Sequence, residues 1–228
     1  MNGLHAWGTR RGFALGVLYV LLIAICGGAT ARGAEKQKTL VFFGDSLTAG
    51  YGLADPGAEA YPALIRRKIE EAHLPWRVVN AGLSGETSAG GLRRVSWVLR
   101  QPTDIFVLEL GANDGLRGFD PGVIRANLQG IIDRVRAAHP AARIVVAGMR
   151  MPPNMGEGYN RAFTAVYPAL AEKNGAALIP FLLAGVGGVA DLNQGDGMHP
   201  TALGDVRVAE NVWAVIRPLL GAPPHRSP

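Results

Sequence analysis

Apolar runs of strand length alternate with amphipathic segments of helix length from residue 38 to residue 220. Lys38–Phe43, Trp76–Asn80, Asp104–Leu110, Arg143–Gly148 and Ala177–Pro180 read as five strands. The run Leu40-Val41-Phe42-Phe43 shows no polar alternation, the pattern of a strand covered on both faces. Between and after the strands, Tyr61–Ala72, Ser88–Leu99, Pro121–Ala138, Tyr159–Asn174 and Thr201–Leu220 read as helices. Leu64, Ile65, Ile69 and Ala72 fall on one face of the first, Pro121 takes a first-turn position behind Asp120, and Gly175 stops the fourth. Regular strand–helix alternation predicts an α/β chain, a three-layer α/β/α sandwich on a mostly parallel five-stranded sheet. No internal repeat and no linker divides the stretch.

The N-terminus follows another pattern. His5, Arg10 and Arg11 make a basic start without an acid, Phe13 to Ile25 is almost wholly apolar, and Ala29-Thr30-Ala31 is an A-x-A site. That is the order of a secretory signal peptide cleaved after Ala31. The apolar run is shorter than the ~20 residues a spanning helix needs, which weighs against an uncleaved anchor. Thr9-Arg10-Arg11-Gly12-Phe13 also fits a twin-arginine signal, although two arginines equally make an ordinary basic start. Cys26 is the only cysteine, and Ile25 ahead of it does not suit lipid attachment. Its removal leaves no disulfide, no thiol nucleophile and no thiolate ligand. The organisation expected is a signal peptide over 1–31, one domain over 32–221 and a flexible proline-rich tail over 222–228. The expected location is periplasmic or secreted, with no stable membrane anchor after cleavage.

Composition narrows the function further. Hydrophobic residues are 48% and charged residues 18%, values of a globular chain. The net charge of +5 becomes +3 once Arg10 and Arg11 are removed. Without a clustered basic patch, that charge does not point to nucleic acid. No residue cluster resembles a zinc site, and no GxxxxGK[ST] phosphate loop is present.

Four segments carry the candidate chemistry, and all fall where strands end or the last helix begins. An open parallel sheet places its ligands at that edge. Gly44-Asp45-Ser46-Leu47 sets a serine behind the first strand, although Gly, Asp and Ser also make ordinary turns. Gly82-Leu83-Ser84-Gly85-Glu86-Thr87 offers a glycine whose N–H can approach a ligand, or simply a helix start capped by Ser84 or Thr87. Gly111-Ala112-Asn113-Asp114 supplies a neutral amide donor, or a turn. Asp196-Gly197-Met198-His199 sets an acid three residues ahead of a histidine, where it could orient the imidazole or cap the helix. His73 and His139 sit near helix ends and read as surface residues. Asp45 and Asp114 read as braces of their own turns.

Taken together and in this order, the four segments resemble the Ser, Gly, Asn and His blocks of the SGNH, or GDSL, hydrolase superfamily. The resemblance runs from about Thr39 to the last helix. Within the superfamily the chain is most similar to the periplasmic thioesterase I / lysophospholipase L1 / arylesterase group. Val78-Val79-Asn80-Ala81, Glu109-Leu110-Gly111, Asp114 to Phe119, Tyr159-Asn160 and Tyr167-Pro168 carry that closer likeness. The resemblance implies a flavodoxin-like sheet order and an exported serine esterase for acyl esters and thioesters. It implies Ser46 as nucleophile, His199 as general base and acid, and Asp196 as its orienting acid. It implies an oxyanion hole of the Ser46 and Gly85 N–H groups and the Asn113 amide, and no metal or organic cofactor.

Substrate choice is expected from the Gly115–Phe119 loop, which the resemblance implies is mobile on acyl binding. Gly115, Leu116 and Phe119 are its candidate contacts, with Met151 and Pro152 as a facing wall. The expected substrates are small acyl esters or thioesters, lysophospholipids among them, and a monomer is expected. A carbohydrate acetylesterase is the alternative on the same residues, but few aromatics lie near the site beyond Tyr51, Phe119 and Tyr159. A binding protein without turnover would need a degraded triad, and all the required residue types are present.

Overall fold

The computed structural model describes residues 37–221. The expected signal peptide and tail lie outside the described residues. Five strands form one all-parallel sheet: β1 (Lys38–Gly44), β2 (Trp76–Gly82), β3 (Ile105–Glu109), β4 (Arg143–Ala147) and β5 (Ala177–Ile179). Their spatial order is β2-β1-β3-β4-β5. The α/β/α reading therefore holds, with a sheet that is wholly parallel.

Among the described residues eight α-helices connect and follow the strands: α1 (Ser46–Ala49), α2 (Pro56–Glu59), α3 (Tyr61–Glu71), α4 (Ser88–Val98), α5 (Ala112–Leu116), α6 (Pro121–Ala138), α7 (Glu157–Asn174) and α8 (Ala202–Leu220). α3 packs on α8, while α4 packs on α6 and α6 on α7. The division follows from chain direction. β1 to β2 moves one way across the sheet and β2 to β3 reverses it, so right-handed crossovers put their helices on opposite faces. The reversal leaves a crevice at the C-terminal ends of β1 and β3.

The long elements match the pattern of the sequence. Asp120 caps α6, its Oδ1 accepting from Gly122 N–H at 2.7 Å, and Gly175 closes α7 in a left-handed conformation. Leu64, Ile65 and Ile69 of α3 are buried, but Ala72 is exposed as the cap beyond the helix. α1, α2 and α5 span one turn each, too short to show a periodicity. Leu40, Val41, Phe42 and Phe43 are fully buried, with Tyr61 edge-on to Phe42 at 5.3 Å between ring centres.

Asp205, in the first turn of α8, is 2% exposed, and its Oδ1 accepts the Tyr61 N–H at the head of α3 at 3.0 Å. Burial raises its pKa to about 7, against the opposing Tyr61 N–H and with the Glu59 charge acting the same way as burial. The folded protein thus holds this proton more tightly than the unfolded chain. Its contribution to stability falls as pH rises from the unfolded carboxyl value, about 4, through the folded one. Asp205→Asn keeps an oxygen for the Tyr61 N–H and cannot ionise. It should raise the melting temperature at pH 8, by roughly 2–4 °C for each kcal/mol recovered, and the gain should vanish near pH 4. A melting series in which the difference is independent of pH would refute the burial argument.

Candidate active site

Gly44 ends β1, and Asp45 caps the short helix that follows, its Oδ1 accepting the Leu47 N–H at 3.1 Å. The expected turn-bracing role of Asp45 is thus met. Ser46 opens α1 beside the β1/β3 crevice, half-buried, and Gly50 closes that helix at φ 78°.

The loop 193–200 brings an acid and an imidazole to this serine. An isolated bridge pairs Asn193 with Pro200, and Gln194 N–H donates to the His199 carbonyl at 2.7 Å. Asp196 Oδ1 accepts the Met198 and His199 N–H groups at 2.9 and 3.0 Å. Its Oδ2 lies 2.6 Å from His199 Nδ1, and His199 Nε2 lies 2.9 Å from Ser46 Oγ. The His199 N–H, the imidazole and the Met198 N–H draw the Asp196 pKa down to about 2. Asp196 is therefore ionised at neutral pH and takes a hydrogen from Nδ1, which leaves Nε2 to accept from the serine. This arrangement can deprotonate a hydroxyl and return the proton to a leaving group. The Tyr51 ring rests against the imidazole, 4.7 Å between centres.

Gly85 and Asn113 line the same space. Gly85 adopts φ 77°, a conformation that favours glycine, and no protein atom lies within 4 Å of where a Cβ would stand. Its loop is held by the Glu86–Arg94 ion pair at 2.5 Å. Asn113 lies in α5, and its Nδ2 donates to the Glu86 carbonyl at 3.1 Å and to Asp45 Oδ2 at 3.2 Å. Asp114 braces this loop as expected, accepting the Ser88 hydroxyl at 2.6 Å and the Ser88 N–H at 2.7 Å.

A cavity of about 790 Å³ opens above these groups, and Ser46, Gly85, Asn113, Asp196 and His199 all stand in its wall. Leu116, Met151 and Pro152 line it too, as the sequence predicts. Gly115 and Phe119 are not among its lining residues. Gly115 is packed under Met151 and Phe163, where a Cβ would meet the Met151 sulfur at 2.5 Å. Phe119 is turned outward, 46% exposed, with its carbonyl accepting the Tyr159 hydroxyl at 2.7 Å.

Arg150, between Met149 and Met151 of the expected facing wall, also lines the cavity, with its guanidinium 4.9 Å from the Phe181 ring centre. Sequence reasoning passed over the buried group beneath the serine turn. Glu109, fully buried at the end of β3, accepts the Asp45 N–H at 3.1 Å and the Thr48 hydroxyl at 2.8 Å. A lone acid closing the apolar run Ile105-Phe106-Val107-Leu108 was the available signal. His139, at the end of α6, is half-buried, with Nε2 3.0 Å from the Leu99 carbonyl. Among the described residues no cluster of His, Cys, Asp and Glu could hold a metal ion, and no helix is long and apolar enough to cross a membrane.

Comparison with known proteins gives a consistent picture. The profile of the GDSL-like Lipase/Acylhydrolase family matches residues 42–206. Esterase TesA of Pseudomonas aeruginosa is 41% identical over 184 residues, covering 80% of this chain and 90% of its own. The arylesterase of Vibrio mimicus is 37% identical over 196 residues, covering 86% and 94%. Thioesterase 1/protease 1/lysophospholipase L1 of Escherichia coli is 39% identical over 188 residues, covering 82% and 87%. The crystal structure of TesA superposes with a TM-score of 0.75 over 80% of this chain and 99% of that one. Psychrotrophic esterase EstA of Pseudoalteromonas, inhibited by monoethylphosphonate, also gives 0.75 at 33% identity, over 81% and 100%.

Proposed function

This chain belongs to the GDSL-like lipase/acylhydrolase family, and from that premise we propose that it is an exported serine hydrolase of acyl esters and thioesters working through Ser46, His199 and Asp196. The observation that carries the reading is the unbroken hydrogen-bonded line from Asp196 Oδ2 through the imidazole to Ser46 Oγ, with bonds of 2.6 and 2.9 Å, in the wall of a cavity.

Ser46 Oγ attacks the acyl carbonyl while His199 Nε2 takes its proton. The oxyanion is met by the N–H groups of Ser46 and Gly85 and by the Asn113 amide. His199 then protonates the departing alcohol or thiol, leaving an acyl-serine. Water, deprotonated by the same nitrogen, hydrolyses that ester and frees the serine. Asp196 stays ionised throughout and stabilises the imidazolium. Leu116, Met149, Met151 and Leu183 give the cavity an apolar wall for an acyl chain. Its volume favours medium and long chains over acetyl, and so speaks for an acyl hydrolase over a carbohydrate deacetylase. Arg150 adds a cation, which suits a leaving group bearing phosphate, as in a lysophospholipid or a coenzyme A thioester. The basic, apolar and A-x-A order of residues 1–31 supports action outside the cytoplasm. We propose a monomer.

Hydrolysis of p-nitrophenyl esters from acetyl to palmitoyl tests the reading, with Ser46→Ala alongside. Turnover should rise beyond acetyl and disappear in Ser46→Ala. Turnover that survives the substitution would remove the mechanism, and activity confined to acetyl would move the assignment to a deacetylase. Asp196→Asn should lower kcat by about 10⁴ through the wrong imidazole tautomer; an unchanged kcat would show that another group orients His199. Arg150→Gln should cut kcat/KM about tenfold, ~1.4 kcal/mol, for a phosphate-bearing acyl ester and spare a neutral ester of equal chain length. Equal losses on both would rule out the charge contact.

A further inference from the structure

Glu109 takes no part in the hydrogen-bonded line through His199, yet it sits directly beneath it. Parallel pairing sets Glu109 beside Gly44, the last residue before the nucleophile turn. Its Oε2 receives two donors, the Asp45 N–H at 3.1 Å and the Thr48 hydroxyl at 2.8 Å. With its hydrogen so used, Thr48 accepts from the Tyr61 hydroxyl at 2.6 Å, and the chain of donors ends on Glu109. Oε1 is buried without a hydrogen-bond partner, and no cation pairs with the carboxyl among the described residues.

A buried carboxylate with no cation and an orphaned oxygen is an expensive species, and the proton-bearing form relieves it. The neighbours press in that direction. Burial foremost, and then the Asp45 charge, push the Glu109 pKa well above the usual carboxyl range. Asp45 itself is raised to about 6, chiefly by burial and against the Leu47 N–H, Glu109, the His199 charge and the Asn113 amide. The other titratable groups facing the pair are Tyr61 of α3 and Tyr167 of α7, both held protonated by their own burial and by the two acids. Both shifts favour a pair that holds one proton and one negative charge, and burial without a cation favours the proton on Glu109.

Asp45 is the junction between this acid and the chemistry. Its N–H is held by Glu109, its Oδ1 caps the helix that Ser46 opens, and its Oδ2 takes a hydrogen from Asn113 Nδ2 at 3.2 Å. We propose that Glu109 is a positioning residue, a neutral acid that fixes the Asp45 main chain and carboxyl so that the Ser46 N–H and the Asn113 amide keep their aim at the oxyanion. The inference rests on the serine-hydrolase reading above. When Glu109 ionises, a second negative charge enters the buried pair beside the oxyanion site, and the rate falls.

The test compares the full chain with Glu109→Gln and Glu109→Ala in steady-state hydrolysis of one p-nitrophenyl ester from pH 5 to 10, with Ser46→Ala as the blank. Loss of a well-placed oxyanion donor costs ~10²–10³, and a loosened one less. Glu109→Ala should therefore lower kcat roughly 10–100-fold and change KM less than about threefold. Glu109→Gln, whose amide oxygen still accepts from Asp45 and Thr48, should restore kcat to within about fivefold of the unsubstituted protein. It should also lack the alkaline decline that ionisation of Glu109 produces. Wild-type kcat in Glu109→Ala would overturn the proposal. So would a folded Glu109→Gln as impaired as Glu109→Ala, or a Glu109→Gln pH profile superimposable on the wild-type one. Should Glu109→Ala fail to fold in a thermal melt, the Glu109→Gln pH profile decides alone. Turnover persisting in Ser46→Ala would instead sink the serine mechanism, so the two failures are distinguishable.

Discussion

The site depends on the pairing of β1 on both of its edges. β1 bonds to β2 on one side and β3 on the other, in registers that bring Gly44 level with Gly82 and with Glu109. Each of these three strand ends feeds a loop that reaches the serine: α1 directly, the Gly85 turn, and the Asn113 turn. A slip of one residue in either ladder would reverse every side chain on the slipped strand. The apolar interior of β1, fully buried from Leu40 to Phe43, makes such a slip costly. Hydrophobic burial in the sheet thus sets the relative heights of the groups at its edge, and the edge needs little structure of its own.

The loop from 193 to 200 uses a different device. It has no strand to hold it and relies on polar closure: one isolated bridge, the Gln194 hydrogen bonds, and a carboxylate that collects two backbone N–H groups and the imidazole. The same contacts that close the loop keep Asp196 ionised and the histidine in one tautomer. Structure and protonation state here have a single cause.

Much of this was legible along the chain. Ser46, Asp196 and His199 were readable because their neighbours in sequence are also their neighbours in space, and each lies where an element begins or ends. The long helices and the strands declared themselves by period and by Pro and Gly at their ends. What stayed hidden needed register or packing. Glu109 looks like the tail of an apolar strand until pairing places it next to Gly44. Tyr61 looks like the first residue of a helix until its hydroxyl is found on Thr48, thirteen positions back. Gly115 and Phe119 sit in the expected loop, but the direction each faces is decided by Met151, Phe163 and Tyr159. One-turn helices such as α1 and α5 carry no periodic signal.

Gly44 has a consequence for anyone altering this protein. A Cβ there would stand 2.0 Å from Thr48 Oγ1 and 2.4 Å from Glu109 Oε2. Positions 44, 48 and 109, far apart in the chain, therefore form one sterically locked set. A random library that varies residues 44–47 by themselves will sample mostly collisions at residue 44. A library that varies the three positions together, trading the buried acid and hydroxyl for smaller groups, can open that motif to residues other than glycine.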